Sequence, residues 1–501
     1  MVAIQTFWSD KTTLRAAGEL NGGWLDARFH LMSWALSVSL LKKHFSKVIL
    51  CTDTFGKKLL VDTLQLPYDE VILSQTGLEL KYPREVWVMR KINSYQQLEE
   101  PFVHIDSDAF LWKPLPDTFY NSTIFAQNYQ KDFSCYNIAR KELADIGIQM
   151  PSILASETTH NAVNMGIIGG QDKALFKEYY QFLESFVGLH LPKIQANKTQ
   201  LSLGFVNTLL EECFFVHFVE LYYNKPIHVL IEDKLDSRYT KIANLLDKKY
   251  GYHHLIGENK LDLFYCKQVE QALKFHFPAV YKHITAFISE FFIQVPQKVD
   301  YYAESNYRIQ QKGSNEVVTP KNVKTMLQTW ANDETLSHAI VFEHQRNKDF
   351  RKVKNKLAGF QESEQARIRF LYEYLEKLPI GQRLNDTISY DSSMRVSERI
   401  WDDGKSIFSS LIYDFGYGQA HYDDKIWDTF AMFILYNCSE EPQPLEHLLA
   451  LLQQKTNQQP DELLQRFDIK IKELYMAGLL HYTHNEVPAS CADIAEAIQG
   501  Y

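Results

Sequence analysis

The chain has 501 residues, 45% of them hydrophobic and 13% aromatic, enough to bury a large core and to divide into two or three domains. With 53 basic against 62 acidic side chains its net charge is -9, which argues against nucleic acid or an anionic membrane as the main partner. Six scattered cysteines (Cys51, Cys135, Cys213, Cys266, Cys438, Cys491) have no CxxC spacing, so they point neither to zinc nor to a disulfide framework and fit a reducing cytoplasm.

The amino terminus, MVAIQTFWSDKTT, lacks a basic n-region, a long apolar stretch and a small-residue cleavage site, so secretion is not expected. VAIQTFW reads as a strand and LDARFHLMSWALSVSLLKKHF as a helix. KVILCTD follows as a second strand that closes on Thr52 and Asp53. The longest apolar run, LMSWALSVSLLKKHF, is too short for a bilayer span and is broken by lysines, so membrane insertion is not expected. GKKLLVDTLQL continues as a helix, EVIL as a strand, PREVWVMRKINSYQQLE as a helix and PFVHID as a strand. This alternation predicts an α/β, Rossmann-like domain whose mainly parallel sheet is covered on both faces and binds ligands beyond the carboxyl ends of its strands.

Asp106 and Asp108 stand at such an end, one residue apart, and are followed by the apolar AFLW rather than by turn residues. A solvated turn is the ordinary home of an isolated Asp-x-Asp. Two carboxylates after a buried strand instead suit Mg²⁺ or Mn²⁺, whose other coordination positions take phosphate oxygens. A haloacid-dehalogenase-type phosphatase also closes a strand with this pair, but it continues to Thr or Val two residues later, where this chain has Phe110.

Further on, AVNMGIIGG (Ala162–Gly170) reads as a strand closed by glycines. TQLSLGFVNTLLEECFFVHFVELYYN reads as a buried helix and PIHVLIE as another strand. The turn-rich YGYHHLIGENK (Tyr250–Lys260) carries two adjacent histidines. Its His254-x-x-Gly257-x-x-Lys260 spacing is similar to the HxxGxxK segment of family 8 glycosyltransferases, the group of glycogenin and bacterial lipopolysaccharide galactosyltransferases. The resemblance covers about residues 1–295 and departs from the family pattern at Leu261 and Asp262, where Pro-Trp is usual.

That resemblance implies a GT-A fold in which Asp106, Asp108 and His254 share a cation, Mn²⁺ or Mg²⁺, on the diphosphate of a UDP-sugar, with Gly257 and Lys260 at the diphosphate. His253 is the rival ligand. By the same analogy Thr6, Phe7, Trp8 and Asp53 fall at the nucleotide, Lys91 and Gly166 at the donor, and Asn164 at the sugar. Glu211 and Glu212, buried acids that demand a partner, stand on the acceptor side or in a salt bridge.

From about Pro296 to Pro320 the sequence is polar and without period, which marks a domain boundary. A helical connector follows (296–390), then β-like runs and three helical segments (391–501) that read as a small winged-helix-like α+β module. Pro460 and Gly478 bracket its last helix in the usual start and stop positions. This module resembles the PqqD-type element that binds leader peptides by strand addition, which implies a ribosomally made precursor peptide as acceptor. Absence of a basic recognition helix makes DNA the poorer partner. The expected function is metal-dependent transfer of a sugar from a nucleotide donor. The competing expectation is a binding scaffold with a degenerate transferase domain, and donor hydrolysis in the presence of metal separates the two.

Overall fold

In the computed structural model the chain is described over residues 1–9, 11–131, 134–155, 162–232, 240–291, 309–310, 317–318, 366–391, 396–400, 406–414 and 421–483. It divides into two compact units, Met1–Leu261 with Ala272–Ile293, and Asp262–Gln271 with Gln294–Tyr501. The linker expected over 296–320 and the first part of the helical connector lie outside the described residues, apart from the short strands β10 (Ile309–Gln310) and β11 (Val317–Val318). No described helix is long and apolar enough to cross a membrane.

The first unit is a mixed α/β layer structure around a seven-stranded sheet. Its strands are β1 (Val2–Thr6), β2 (Val48–Cys51), β3 (Glu70–Ile72), β4 (Phe102–Ile105), β6 (Phe125–Gln130), β7 (Ala162–Gly170) and β8 (His228–Val229), in the order β3-β2-β1-β4-β7-β6-β8. The pairs β3–β2, β2–β1, β1–β4 and β6–β8 run parallel, whereas β7 is antiparallel to both β4 and β6. Every residue of β1, β2, β4 and β7 is buried, which is why these segments read as continuous apolar runs rather than alternating ones. The chain leaves β1 toward β2 and β3, then crosses back to place β4 on the other flank of β1. Strand order thus reverses between β1 and β4, and a crevice opens beyond their carboxyl ends.

Helix Ala27–His44 is buried from Ala27 to Leu41 except at His30, so its sequence is apolar nearly all round rather than striped. Asp26 starts it by accepting the amides of Arg28 and Phe29. The segment read as one long helix is helical from Leu203 to Tyr222 but passes through a wider π-type turn at Leu209–Cys213. A helix at Lys173–Ala196 and the strand β6 carry no motif in the sequence, yet both build the core with Phe176, Tyr179 and Phe125. A two-stranded ladder joins β5 (Ala109–Leu111) to β9 (Tyr252–His254), pairing Ala109 with His254 and Phe110 with His253.

In the second unit β12 (Thr387–Tyr390) lies between β16 (Gln443–Pro444) and β17 (Leu480–Thr483), and β14 (Ser406–Asp414) lies between β13 (Val396–Ile400) and β15 (His421–Trp427). Helices Thr429–Asn437, Leu445–Lys455 and Pro460–Met476 follow the expected segments, although Lys425–Trp427 belongs to β15 rather than to the first helix. Arg383 is fully buried there and donates to Tyr482 Oη at 3.3 Å and to Asp468, a satisfied polar core.

Candidate metal and phosphate site

A cleft of about 1450 Å³ opens where the strand order reverses, and Asp106, Asp108 and His254 stand on its floor. Three backbone bonds put them there. The Asp106 amide donates to the Gly166 carbonyl at 3.0 Å, which extends β4 along β7, and the Ala109 amide turns back to the Asp106 carbonyl at 3.1 Å. The Leu255 amide then donates to the Asp108 carbonyl at 3.0 Å, continuing the β5–β9 ladder and bringing the histidine segment against the acids. Two motifs far apart in sequence thereby become one constellation.

One ligand atom from each of Asp106, Asp108 and His254 lies within 4.8 Å of the others. Metal–oxygen bonds of about 2.1 Å place coordinated atoms about 3 to 4 Å apart, so a small turn of one carboxylate closes the trio on a divalent cation. The histidine is already set for this. Its Nδ1 donates to Gln127 Oε1 at 2.7 Å, which fixes the ring and turns Nε2 toward Asp108, whose Oδ1 is 3.3 Å away. Tyr252 Oη donates to the same Gln127 oxygen at 2.7 Å. Gly166 leaves the room, because a Cβ there would lie 2.2 Å from His254 Cε1. His253 points elsewhere: Nε2 meets the Asp247 carbonyl, and burial lowers the ring's pKa to about 4. The two adjacent histidines therefore have separate surroundings.

Each acid has its own cation. Lys91 Nζ is 2.7 Å from Asp106 Oδ1 and 2.6 Å from Glu211 Oε1, and Lys260 Nζ is 2.8 Å from Asp108 Oδ2. Burial raises the Asp106 carboxyl above its ordinary pKa, with Lys91 opposing and Asp108 adding to the rise. Burial would do the same to Asp108, but Lys260 and His254 outweigh it and hold that carboxyl far below the usual range. The pair thus presents one firmly ionised oxygen ligand and one whose charge a further cation would stabilise.

Glu212, next to Glu211 on the π-type turn, also lines the cleft and accepts from Tyr136 Oη at 2.6 Å. Burial, reinforced by the charge of Glu211, pushes its pKa up to about 8, so Glu212 holds a proton at neutral pH. A carboxyl protonated in the folded chain but ionised in the unfolded one loses stability as pH rises from 4.5 toward 8, with the loss complete above 8. Glu212→Gln is accordingly expected to melt higher than the parent at pH 8, by roughly 4 kcal/mol of stability, and to melt with it at pH 4. A pH-independent difference would show that Glu212 is ionised in the fold.

Thr6, Phe7, Trp8, Asn164 and Gly257 also line the cleft. Thr6 Oγ1 bonds Ser94 Oγ at 2.6 Å and His104 Nε2 at 3.1 Å, Phe7 packs edge-on to Trp34, and Trp8 stacks on Trp87 with ring centroids 6.2 Å apart. Asn164 Oδ1 accepts the Gly166 amide at 2.9 Å. Asp53 is occupied by the backbone instead. Its carboxylate takes the amides of Ser9 and Gly56, each at 2.6 Å, so it fixes the loop after Trp8 and caps a helical turn rather than facing the cleft. Gln127 and Tyr252 carried no signal in the sequence. Gln127→Met is expected to weaken cation binding about tenfold or more by freeing the His254 tautomer, as measured by calorimetry with Mn²⁺. Unchanged affinity would detach His254 from the site.

Fold and site together define an α/β protein with a mostly parallel central sheet and a carboxylate–histidine cluster at the strand ends. Residues 1–287 match a family of unknown function (DUF6734), and the chain belongs to that family. No curated protein matches the chain.

Proposed function

We propose that the first unit is a metal-dependent glycosyltransferase of GT-A type that moves a sugar from a nucleotide donor, a UDP-sugar, to an acceptor. The observation that carries this reading is the convergence of Asp106, Asp108 and His254 with Lys260 at the carboxyl ends of β1 and β4. A divalent cation, Mn²⁺ or Mg²⁺, would be held by the two aspartates and His254 and would supply charge that stabilises a departing diphosphate. Lys260 adds positive charge on the same side, and Gly257, at φ +56 with open space around its Cα, lets backbone approach a phosphate. Lys91 orients Asp106 and Glu211, which bound the sugar side with Asn164, while Glu212 keeps a proton beside them. Phe7 and Trp8 offer apolar wall to the base.

The acceptor belongs to the same proposal. In the second unit, a winged-helix-like module on this reading, β17 pairs only with β12 among the described residues. A precursor peptide would add a strand to such an edge.

Thermal melting with a panel of nucleotide sugars, with and without Mn²⁺, tests the donor assignment. A ligand that binds only the native state raises its stability, by about 2.7 kcal/mol at a hundredfold excess over Kd. A rise in melting temperature with a UDP-sugar that requires the metal is expected. No rise with any nucleotide sugar, or one indifferent to metal, would contradict it.

A further inference from the structure

We infer, on the nucleotide-sugar reading of the cleft, that the second unit holds the trailing end of the Gly257–Leu261 turn through the pair Asp262–Lys425, and that these two residues position the turn for the nucleotide. Neither of them lines the cleft. The turn does, at Gly257, Glu258, Asn259 and Lys260, yet none of its residues is buried. A segment with no buried apolar side chain has little of its own to fix it, so its place is set by what holds it from either side.

The first unit supplies the hold on the leading side. The Leu255 amide donates to the Asp108 carbonyl at 3.0 Å, and the Leu25 amide donates to the Lys260 carbonyl at 2.9 Å. The trailing side is different, because the division between the units falls between Leu261 and Asp262 and the chain re-enters the first unit only at Ala272. Asp262 is also one of the two positions at which the chain departs from the Pro-Trp of the glycosyltransferase pattern.

Both oxygens of Asp262 are engaged within the second unit. Oδ1 accepts the Phe264 amide at 2.8 Å and so starts the helix Leu263–His276, while Oδ2 lies 3.5 Å from Lys425 Nζ on β15. Lys425 is itself fixed. It is buried, with Nζ 4.4 Å from the centre of the Phe264 ring and 4.5 Å from that of Tyr265, and Trp427 packs edge-on to Phe264. A turn held on both sides has already lost freedom that a ligand would otherwise have to remove on binding. Parting Asp262 from Lys425 should therefore loosen the trailing side of the turn and weaken the nucleotide, with every residue of the cleft unchanged.

Two measurements on the full chain test this, calorimetric titration with UDP at fixed Mn²⁺ and amide hydrogen exchange without any ligand. Lys425→Met and Asp262→Asn are each expected to bind UDP about tenfold weaker than the parent, and the double variant no weaker than either, since both changes remove one interaction. Exchange at Leu25 and over residues 255–261 should become about tenfold faster in each variant, while β1 and β4 exchange as in the parent. Asn caps a helix as well as Asp, so Asp262→Asn keeps the helix start and carries the test should Lys425→Met fail to fold. Parental affinity or parental exchange in both variants, losses that add in the double variant, or faster exchange across β1 and β4 as well, would overturn the inference. A parent that takes up no UDP in Mn²⁺ would instead overturn the nucleotide reading, and exchange at the turn would then decide by itself whether Asp262 holds it.

Discussion

Asp108→Ala and Asp106→Asn are each expected to abolish Mn²⁺-dependent binding of UDP, with affinity falling by about a hundredfold or more. The two carboxylates supply two of three ligands, and loss of a charged ligand is not made good by water in a site already holding two lysines. Their effects on stability should differ. Asp108→Ala removes a carboxylate whose lysine partner is partly exposed, so the fold should hold. Asp106→Asn leaves buried Lys91 with Glu211 and the Met165 carbonyl, so some stability should be lost, by about 1 to 3 kcal/mol. Calorimetry with UDP in Mn²⁺ and melting without metal measure the two properties separately. Parental UDP affinity in both variants would remove the aspartates from the metal site.

Lys91→Met is expected to have the largest effect on the fold itself, about 3 to 5 kcal/mol at neutral pH. The side chain is buried, and it stands between Asp106 and Glu211. Burial opposes the charge on Lys91, but the two carboxylates outweigh it and hold the ammonium well above its ordinary pKa. With the ammonium gone, two buried carboxylates face each other and one must keep its proton. The sign of the pH dependence follows. Acids whose pKa is raised in the folded state are harmless below their unfolded pKa of about 4 and cost stability as pH rises above it. The variant should therefore melt closest to the parent near pH 4 and fall progressively behind toward pH 8. A deficit independent of pH would mean that Lys91 acts by packing alone.

The pattern of the first half of the chain is legible because four of its strands, β1, β2, β4 and β7, are buried throughout and so read as continuous apolar runs. Phe102–Ile105 and Ala162–Gly170 both form where the apolar runs place them. Asp106, Asp108, His254 and Lys260 could be grouped from two spaced motifs, although only the β5–β9 ladder makes them neighbours. Other parts had no local signal. Gln127 fixes the histidine tautomer from the interior of β6, a strand whose sequence, FAQNYQ, is largely polar and carries no motif. The π-type turn that brings Glu211 and Glu212 to one cleft depends on tertiary packing rather than on propensity, so a continuous helix was the natural reading. Asp53 looked like a ligand-facing acid at a strand end, but nearby amides claim both of its oxygens.

Release of UDP from a UDP-sugar, followed in Mn²⁺ with the parent chain and with Asp108→Ala, tests the central claim most directly. Slow metal-dependent hydrolysis by the parent, lost when the metal is chelated and absent from the variant, is the predicted result. Hydrolysis that persists in the variant or without metal, or a parent that binds UDP in Mn²⁺ yet turns over no nucleotide sugar, would contradict it.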